Sequence, residues 1–432
     1  MTIGIQIHQL ATRLWSIDRS LTGDGVRETL RILGEVAPGL RIHEIPSGTQ
    51  VFDWVVPKEW KIRDAYIIDP SGRKICDFRS NNLHVVGYST PVKDRMSLEA
   101  LQKHLYSLPD QPTAIPYVTS YYKERWGFCI AQSERDALED GEYEVFIDSE
   151  LFDGALTYGE LLIRGESEEE IFISTYVCHP SMANNELSGP TVTAHIAKWL
   201  LERESRNFSY RIVFVPETIG SIAYLSRNLD LLKSRVVAGF NVTCVGDDRA
   251  YSYLPSRHGQ TISDVAIKHV LAHIGGEYRS YTWKDRGSDE RQYCAPGVDL
   301  PMASIMRTKY GEYLEYHTSL DNLVDVVTPE GLEGGYSALR LALEAVERNC
   351  YPRTTVLCEP QLGKRGLYPT LSTKSSGVAV RLMMDLITWS DGSKSLFEIA
   401  DLCGAPVWDL YPILETLSEH RLLDLLDKPA TS

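Results

Sequence analysis

Three groups of side chains that can bind a metal or transfer a proton follow strand-like runs of this sequence. They are His179 with Asn185 and Glu186, Glu217 alone, and His317 with Asp321. Imidazole nitrogen and carboxylate oxygen are ordinary zinc ligands, and a catalytic zinc keeps one position open for water. A glutamate beside such a water can accept its proton. These residue types are the ones that metal-assisted hydrolysis uses.

Each group also has a plain structural interpretation. A histidine often only completes a hydrogen bond inside a protein, and a glutamate at a strand end often lies in the first turn of the next helix. The shared placement favours a joint site, because a wound sheet binds its ligands at the carboxyl ends of its strands.

Buried strands followed by helices must position these side chains. Residues 171–177 form an apolar, β-branched run, and an amphipathic helix follows the loop at residues 178–190. Similar strand-like runs lie at residues 210–215, 236–242 and 302–306. Alternating strands and helices predict an α/β fold with a wound, mostly parallel sheet.

Two regions interrupt this pattern. Residues 41–150 contain short β-type runs separated by turns, which predicts a β-rich domain inserted into an α/β domain of residues 1–40 and 151–352. Three short helices and a last strand-like run predict a winged-helix domain over residues 353–432, with a terminal hairpin as its wing. Its expected recognition helix, residues 407–420, carries little positive charge, which favours a structural or protein-facing role over DNA binding.

Composition narrows the class of protein further. The chain has 432 residues and a net charge of −15, and this charge argues against broad nucleic-acid binding. It has no apolar run long enough to span a bilayer and no recognisable signal peptide, so we expect a cytoplasmic protein without a membrane partner. The 8 cysteines show no metal-type CxxC pair and are expected to be reduced. Homo-oligomerisation is left open.

Polar loops supply candidates for substrate binding. A substrate carboxylate can be held in bidentate fashion by an arginine guanidinium, and the candidates are Arg257, Arg286 and Arg291. The alternative is that they are ordinary surface arginines. Aromatic side chains that can line a sugar or peptide pocket, or simply form core, are Tyr117, Tyr121, Tyr122 and Trp126.

The order of the motifs carries a family resemblance. The motifs are His179, Ala183–Gly189, Pro216–Ser221 and Tyr316–Asp321. Together they resemble the zinc aminopeptidase superfamily of bacterial leucyl aminopeptidases. The whole chain is similar to a branch of aminopeptidase-like proteins with an inserted β domain and a C-terminal winged helix, often associated with polysaccharide biosynthesis.

The resemblance implies a zinc site, from which this sequence departs at three positions. Asn185 stands where the superfamily has a metal-bridging aspartate, Thr218 where it has a second, metal-binding glutamate, and Thr243 where it has a further aspartate. Neutral asparagine and threonine are poor partners for a dication, which favours one zinc ion over two. The alternative is a site that has lost its metal altogether. Asn185 then becomes a candidate for substrate binding.

The matching residues complete the expected site. His179 and His317 match metal ligands, and Glu217 matches the general base. Either Glu186 or Asp247 is expected to complete the metal shell. We therefore predict a metal-dependent, aminopeptidase-like hydrolase that cleaves an amide bond of a peptide or amino-acid conjugate. The alternative is a non-catalytic binding or assembly protein on a peptidase scaffold.

Overall fold

The computed structural model describes residues 1–367 and 374–430. Two compact units divide the chain, the first formed by Met1–Thr261 and Arg279–Ser337, the second by Ile262–Tyr278 and the described part of Ala338–Ser432. None of the described helices combines the length and apolar composition that crossing a membrane requires. Each unit is described by itself below.

An eight-stranded mixed sheet forms the centre of the first unit. From one edge to the other its strands are Arg41–Pro46, Ala155–Ile163, Ser209–Val215, Glu170–Tyr176, Val236–Asn241, Met302–Met306, Ser252–Leu254 and Arg279–Ser280. The third to sixth strands in this order are mutually parallel, as the sequence predicted. Every residue of Glu170–Tyr176 and of Ser209–Val215 is buried, which explains why both strands are largely apolar.

Helices of the first unit lie before, between and after its strands. They are Ile3–Leu14, Asp24–Val36, Leu98–Leu101, Gln132–Asp136, Ser188–Glu202, Ile219–Arg235, Glu290–Tyr293 and the first part of Pro329–Glu347. Ser188–Glu202 packs so closely at its start that a Cβ on Gly189 would lie 2.5 Å from the Val242 carbonyl oxygen. That approach requires glycine where the site loop becomes a helix.

The predicted β-rich region contains a sheet of its own. It is antiparallel, with the strand order Lys74–Ile75, Glu59–Ile68, Glu142–Phe152 and Val92–Ser97. Short pairs add Gln50–Val51 with Trp54–Val55, and Leu105–Tyr106 with Phe128–Cys129. Arg41–Pro46 instead joins the main sheet by pairing with Ala155–Ile163. An edge strand and an inserted strand have the same sequence pattern, so the pattern alone could not separate them. The term lobe is used below for residues 47–154.

The second unit contains the winged helix. Its helices are Ile262–Ile274, the second part of Pro329–Glu347, Lys374–Trp389, Leu396–Cys403 and Val407–Glu419. The last strand, Leu423–Leu426, pairs antiparallel with Tyr351–Thr354. The prediction of a terminal hairpin is therefore wrong, because the partner strand comes before the three helices of the winged-helix domain in the chain. Such a distant pairing has no local turn signal.

One buried histidine ties helix Ile262–Ile274 to the rest of the second unit. His269 Nδ1 lies 2.9 Å from the Asp401 carboxylate, and its Nε2 accepts a hydrogen bond from the Val407 amide at 2.8 Å. Burial lowers the pKa of His269, although Asp401 opposes the shift. A neutral ring fits this arrangement, because only a neutral imidazole can accept the amide hydrogen.

Candidate active site

A cavity of about 340 Å³ lies where the central strands of the first unit end. That volume is within the range of small-molecule sites. Its lining residues are Leu21, Trp54, Tyr117, Thr119, Tyr121, Tyr122, His179, Glu217, Thr218, Ile219, Arg291 and His317. The structure therefore brings together His179, Glu217 and His317, which the sequence placed at separate strand ends, and adds one of the three candidate arginines.

His179 is held between two carboxylates. Its Nδ1 lies 3.1 Å from Glu186 Oε2, and its Nε2 lies 3.6 Å from Glu217 Oε2. Burial by itself lowers the pKa of His179, but the hydrogen bond and charge of Glu186 and the charge of Glu217 outweigh it and raise the pKa overall. Glu186 thus fixes the ring so that Nε2 faces the cavity.

Glu186 is neutralised by an arginine that the sequence did not single out. Arg19 Nε donates to Glu186 Oε1 at 3.1 Å, and neither side chain is exposed at all. Arg19 also donates to the carbonyl oxygens of His179, at 3.0 Å, and Leu14, at 2.8 Å. Arg19 lies in the loop after the first helix, and no local pattern marks it as buried.

These contacts decide how the predicted metal ligand Glu186 can act. Among the described residues, one set of three possible ligand atoms lies within 4.8 Å, from Cys178, His179 and Glu186. Arg19 places a permanent positive charge against that set, and its histidine atom is Nδ1, which already contacts Glu186. The contacts therefore favour a positioning role for Glu186, and its ligand role stays an untested prediction.

Asp247 is the other candidate to complete the metal shell, and its carboxylate is occupied by hydrogen bonds within the protein. Its carboxylate accepts hydrogen bonds from the Asn184 side chain at 3.0 Å, the Arg249 amide at 3.0 Å, and the amide and hydroxyl of Thr308 at 2.8 and 2.6 Å. A carboxylate with four donors stabilises its loop and has little capacity left for an ion.

Glu217 projects from a strained turn. The next residue, Thr218, has φ 65° and ψ −75°, and the Ile219 amide donates to the Glu217 carbonyl at 2.8 Å, which is γ-turn geometry. Buried Asp289 accepts the Thr218 amide at 2.7 Å and thereby holds the turn. Burial raises the pKa of Glu217, while the charges of His179 and Arg291 oppose that change. Burial and the charge of Glu217 also raise the pKa of Asp289 to about 7.

His317 completes the group from a second loop. Its ring stacks on Tyr316, with centroids 3.9 Å apart, and lies 5.8 Å from the His179 ring. Burial and the charge of His179 lower the pKa of His317 to about 3, so the ring is neutral near pH 7. Asp321 stabilises the opposite loop by accepting the amides of Asn184 and Asn185 at 2.7 and 3.0 Å.

Neutral side chains occupy two of the positions where the resembling superfamily has carboxylates. Asn185 Nδ2 donates to the Tyr176 hydroxyl at 2.7 Å, and that hydroxyl lies 2.6 Å from Thr243 Oγ1. Asn185 Oδ1 is buried and has no hydrogen-bond partner in the described part of the chain. Asn185 is not among the residues that line the cavity, so its predicted role in substrate binding stays untested.

The donor set is compatible with one zinc ion and does not fit two. A second ion needs carboxylates where Asn185, Thr218 and Thr243 stand. A single ion has two suitable donors close to each other, namely His179 Nε2 and the neutral ring of His317. Carboxylate-supported histidine is also a common arrangement around bound zinc.

Of the three candidate arginines, Arg291 lines the cavity. Its guanidinium donates to Thr218 Oγ1 at 2.7 Å. Arg257 pairs with Asp299, and Arg286 donates to the Trp283 carbonyl at 3.0 Å while lying over that indole ring. Neither Arg257 nor Arg286 is a lining residue of this cavity.

The lobe supplies the aromatic wall of the cavity. The hydroxyls of Tyr117 and Tyr121 lie 2.6 Å apart, so they partner each other. At the mouth, Trp54 and Tyr122 are 40% and 56% exposed and meet edge to face, with centroids 6.1 Å apart. Trp126 stacks on His104 and is not a lining residue.

Comparison with protein families finds two matches. A family described as a domain of unknown function (DUF4910) matches residues 8–349, and a winged helix-turn-helix family matches residues 349–425. A Clostridium acetobutylicum protein is 47% identical over 98% of this chain and 97% of its own length. It is provisionally named a polysaccharide biosynthesis protein with an aminopeptidase-like domain.

Solved structures show the same relationships. A crystal structure from Clostridium acetobutylicum, provisionally named a peptidase, has a TM-score of 0.92 and 44% identity, covering 98% of this chain and 96% of that one. BSAP, a zinc aminopeptidase from Bacillus subtilis, has a TM-score of 0.57 and 12% identity, covering 79% of this chain and 95% of that one. The second likeness establishes a shared fold.

Proposed function

The chain belongs to the DUF4910 family, and from that premise and its aminopeptidase-like fold we propose that it is a hydrolase that cleaves an amide bond in the cavity at Glu217. The observation that carries the proposal is the approach of Glu217 Oε2 to His179 Nε2 at 3.6 Å beside the ring of His317. One carboxylate and two imidazoles converge there, at the carboxyl edge of the sheet, which is where a wound sheet binds its ligands.

Zinc is the proposed cofactor, as one ion. His179 Nε2 and His317 would hold it. When bound there, zinc supplies Lewis-acid polarisation of the scissile carbonyl and eases deprotonation of water. Glu186 and Arg19 keep the His179 ring oriented for this role.

Glu217 carries the proton in the proposed reaction. Its carboxylate accepts a proton from the attacking water and gives it to the leaving amine nitrogen. A raised pKa suits both steps, because the group must gain and then release the proton near neutral pH. The strained turn at Thr218 aims this carboxylate into the cavity.

The aromatic wall offers a substrate an apolar surface, and Arg291 offers it a positive charge. We propose a peptide, an amino-acid conjugate or an acylated aminosugar, acted on in the cytoplasm. The name of the Clostridium acetobutylicum relative supports a role in polysaccharide biosynthesis. The winged helix is proposed to have a structural or protein-facing role.

A second candidate function is non-catalytic binding or assembly. The observation that favours it is the hydrogen-bonded set of neutral Asn185, Tyr176 and Thr243, which stabilises the site without an ion. In that case Glu217 and the two histidines would only bind a ligand.

Metal content and the variant Glu217→Gln separate the two candidates. Purified protein is expected to retain close to one equivalent of zinc by mass spectrometry and to hydrolyse members of a panel of N-acyl and aminoacyl amides. Glu217→Gln keeps the side chain's size but cannot accept the proton, so turnover should fall by a factor of about a hundred or more. Its zinc content should stay unchanged, as should the activity of the control Glu35→Gln, a change in an exposed helix residue.

Hydrolysis undiminished in Glu217→Gln would refute the mechanism. Protein that holds no zinc and hydrolyses no amide in the panel would support the binding function instead.

A further inference from the structure

The balance of charges in the cavity is unusual for a site that would receive a free α-ammonium group. An ammonium needs an acceptor such as a carboxylate. Glu217 is the single carboxylate among the lining residues, and it already faces His179. Of the neighbouring acids, Glu186 is paired with Arg19, and Asp289, whose Oδ1 accepts the amide of Thr218, is not a lining residue of the cavity.

The cavity offers a positive charge instead. Arg291 lies at the start of helix Glu290–Tyr293, is exposed, and lines the cavity. One hydrogen bond is recorded for its side chain within the described residues, the donation to Thr218 Oγ1. A guanidinium has five N–H donors in a fork that fits a carboxylate, so donors remain for a ligand.

The hydrogen-bond partner of Arg291 determines whether its positive charge can act on a ligand. Thr218 accepts the hydrogen bond as a neutral hydroxyl. A glutamate at the same position would form an ion pair with the guanidinium and cancel its charge. Threonine holds Arg291 at the cavity through a neutral hydroxyl and forms no ion pair with it, which favours an anionic group in the ligand.

We propose that this cavity selects an amide whose amine side carries a carboxylate, such as an N-acylated amino acid or the C-terminal residue of a peptide, and that Arg291 binds the carboxylate. The inference rests on the proposed function, since it defines the substrate class for the same cavity. Trp54 and Tyr122 at the mouth provide an apolar surface for the substrate's side chain. The substrate needs no free α-ammonium.

Three ligands of nearly the same shape test this proposal. N-acetyl-phenylalanine has the carboxylate and no ammonium, phenylalanine amide has the ammonium and no carboxylate, and N-acetyl-phenylalanine amide has neither. Binding is measured by isothermal titration to the full-length Glu217→Gln protein, so that turnover does not interfere. N-acetyl-phenylalanine should bind best, roughly tenfold or more above its amide.

Variants identify the residue responsible. Arg291→Gln, made in the same background, should weaken binding of N-acetyl-phenylalanine by roughly tenfold to a hundredfold and leave binding of its amide unchanged. Arg291→Lys should restore part of the loss, since it keeps the charge but not the fork. Arg63→Gln, which removes an exposed lobe arginine paired with Asp148 and Glu150, is the matched control and should change nothing.

Three outcomes would overturn the inference: tightest binding of phenylalanine amide, equal affinity of N-acetyl-phenylalanine for the Glu217→Gln protein with and without Arg291→Gln, or no binding of any of the three ligands. Because binding is measured without turnover, a protein that binds N-acetyl-phenylalanine through Arg291 yet hydrolyses nothing would retain this inference and remove the proposed catalysis.

Discussion

Replacing Arg19 by methionine should destabilise the first unit far more than removal of an arginine usually does. The side chain is wholly buried against Glu186, which is wholly buried too. Arg19→Met leaves a carboxylate in the interior without its cation, and such a change costs about 3–5 kcal/mol. Burial lowers the pKa of Arg19 while Glu186 and Asp18 oppose this, as expected for a charge held inside only by its partners.

The double variant gives the sharper result. Glu186→Gln alone leaves the buried Arg19 guanidinium without its carboxylate partner and should also lower the free energy of unfolding by about 3–5 kcal/mol. Arg19→Met combined with Glu186→Gln removes both charges and keeps an acceptor for His179, so the total should be only about 1–3 kcal/mol. The two changes should therefore be strongly non-additive, with a coupling of several kcal/mol.

Equilibrium urea unfolding followed by circular dichroism measures these differences, with Arg13→Met and Glu35→Gln as the matched control. That pair is bidentate but about half exposed, and its removal should cost no more than about 1 kcal/mol. If the Arg19 and Glu186 changes simply add, or if Arg19→Met costs no more than the control, the buried pair does not hold the His179 loop as described.

Three further predictions concern other parts of the chain. Burial lowers the pKa of His269 in the folded state. The contribution of this histidine to stability is therefore present above its unfolded pKa of about 6.5 and is lost as the pH falls below that value. The melting temperature of His269→Asn should lose this pH dependence. Gly189→Ala places a Cβ 2.5 Å from the Val242 carbonyl oxygen and should cost about 1–3 kcal/mol in urea unfolding. His179→Ala and His317→Ala should each reduce zinc retained after dialysis at least tenfold, and full retention in both would place the ion elsewhere.

The convergence of His179, Glu217 and His317 was predictable from sequence. His179 and Glu217 follow neighbouring parallel strands, whose carboxyl ends meet at one edge. The apolar runs before them identify those strands without knowledge of the fold. The strand-end pattern also placed His317 at this edge, although it lies in a longer loop.

What each acid does could not be predicted in the same way. Glu186 and Asp247 were both candidates to complete the metal shell, and their spacing in sequence allows either. Their roles depend on Arg19, about 160 residues away from the His179 loop, and on Thr308, whose amide and hydroxyl occupy Asp247. Such contacts are set by tertiary packing, and no local periodicity encodes them.

The pairing of Arg41–Pro46 with Ala155–Ile163 has a consequence for how the chain is made. Pro46 lies opposite Ala155, so the lobe enters and leaves the main sheet at adjacent points. On a ribosome that adds about 5–20 residues each second, the first of these strands waits on the order of ten seconds for its partner. A lobe that folds during this delay brings the two ends together before the sheet forms and reduces the loop-closure entropy of their pairing. Mutations in the lobe core should thus slow assembly of the distant sheet, even when they leave the finished cavity unchanged.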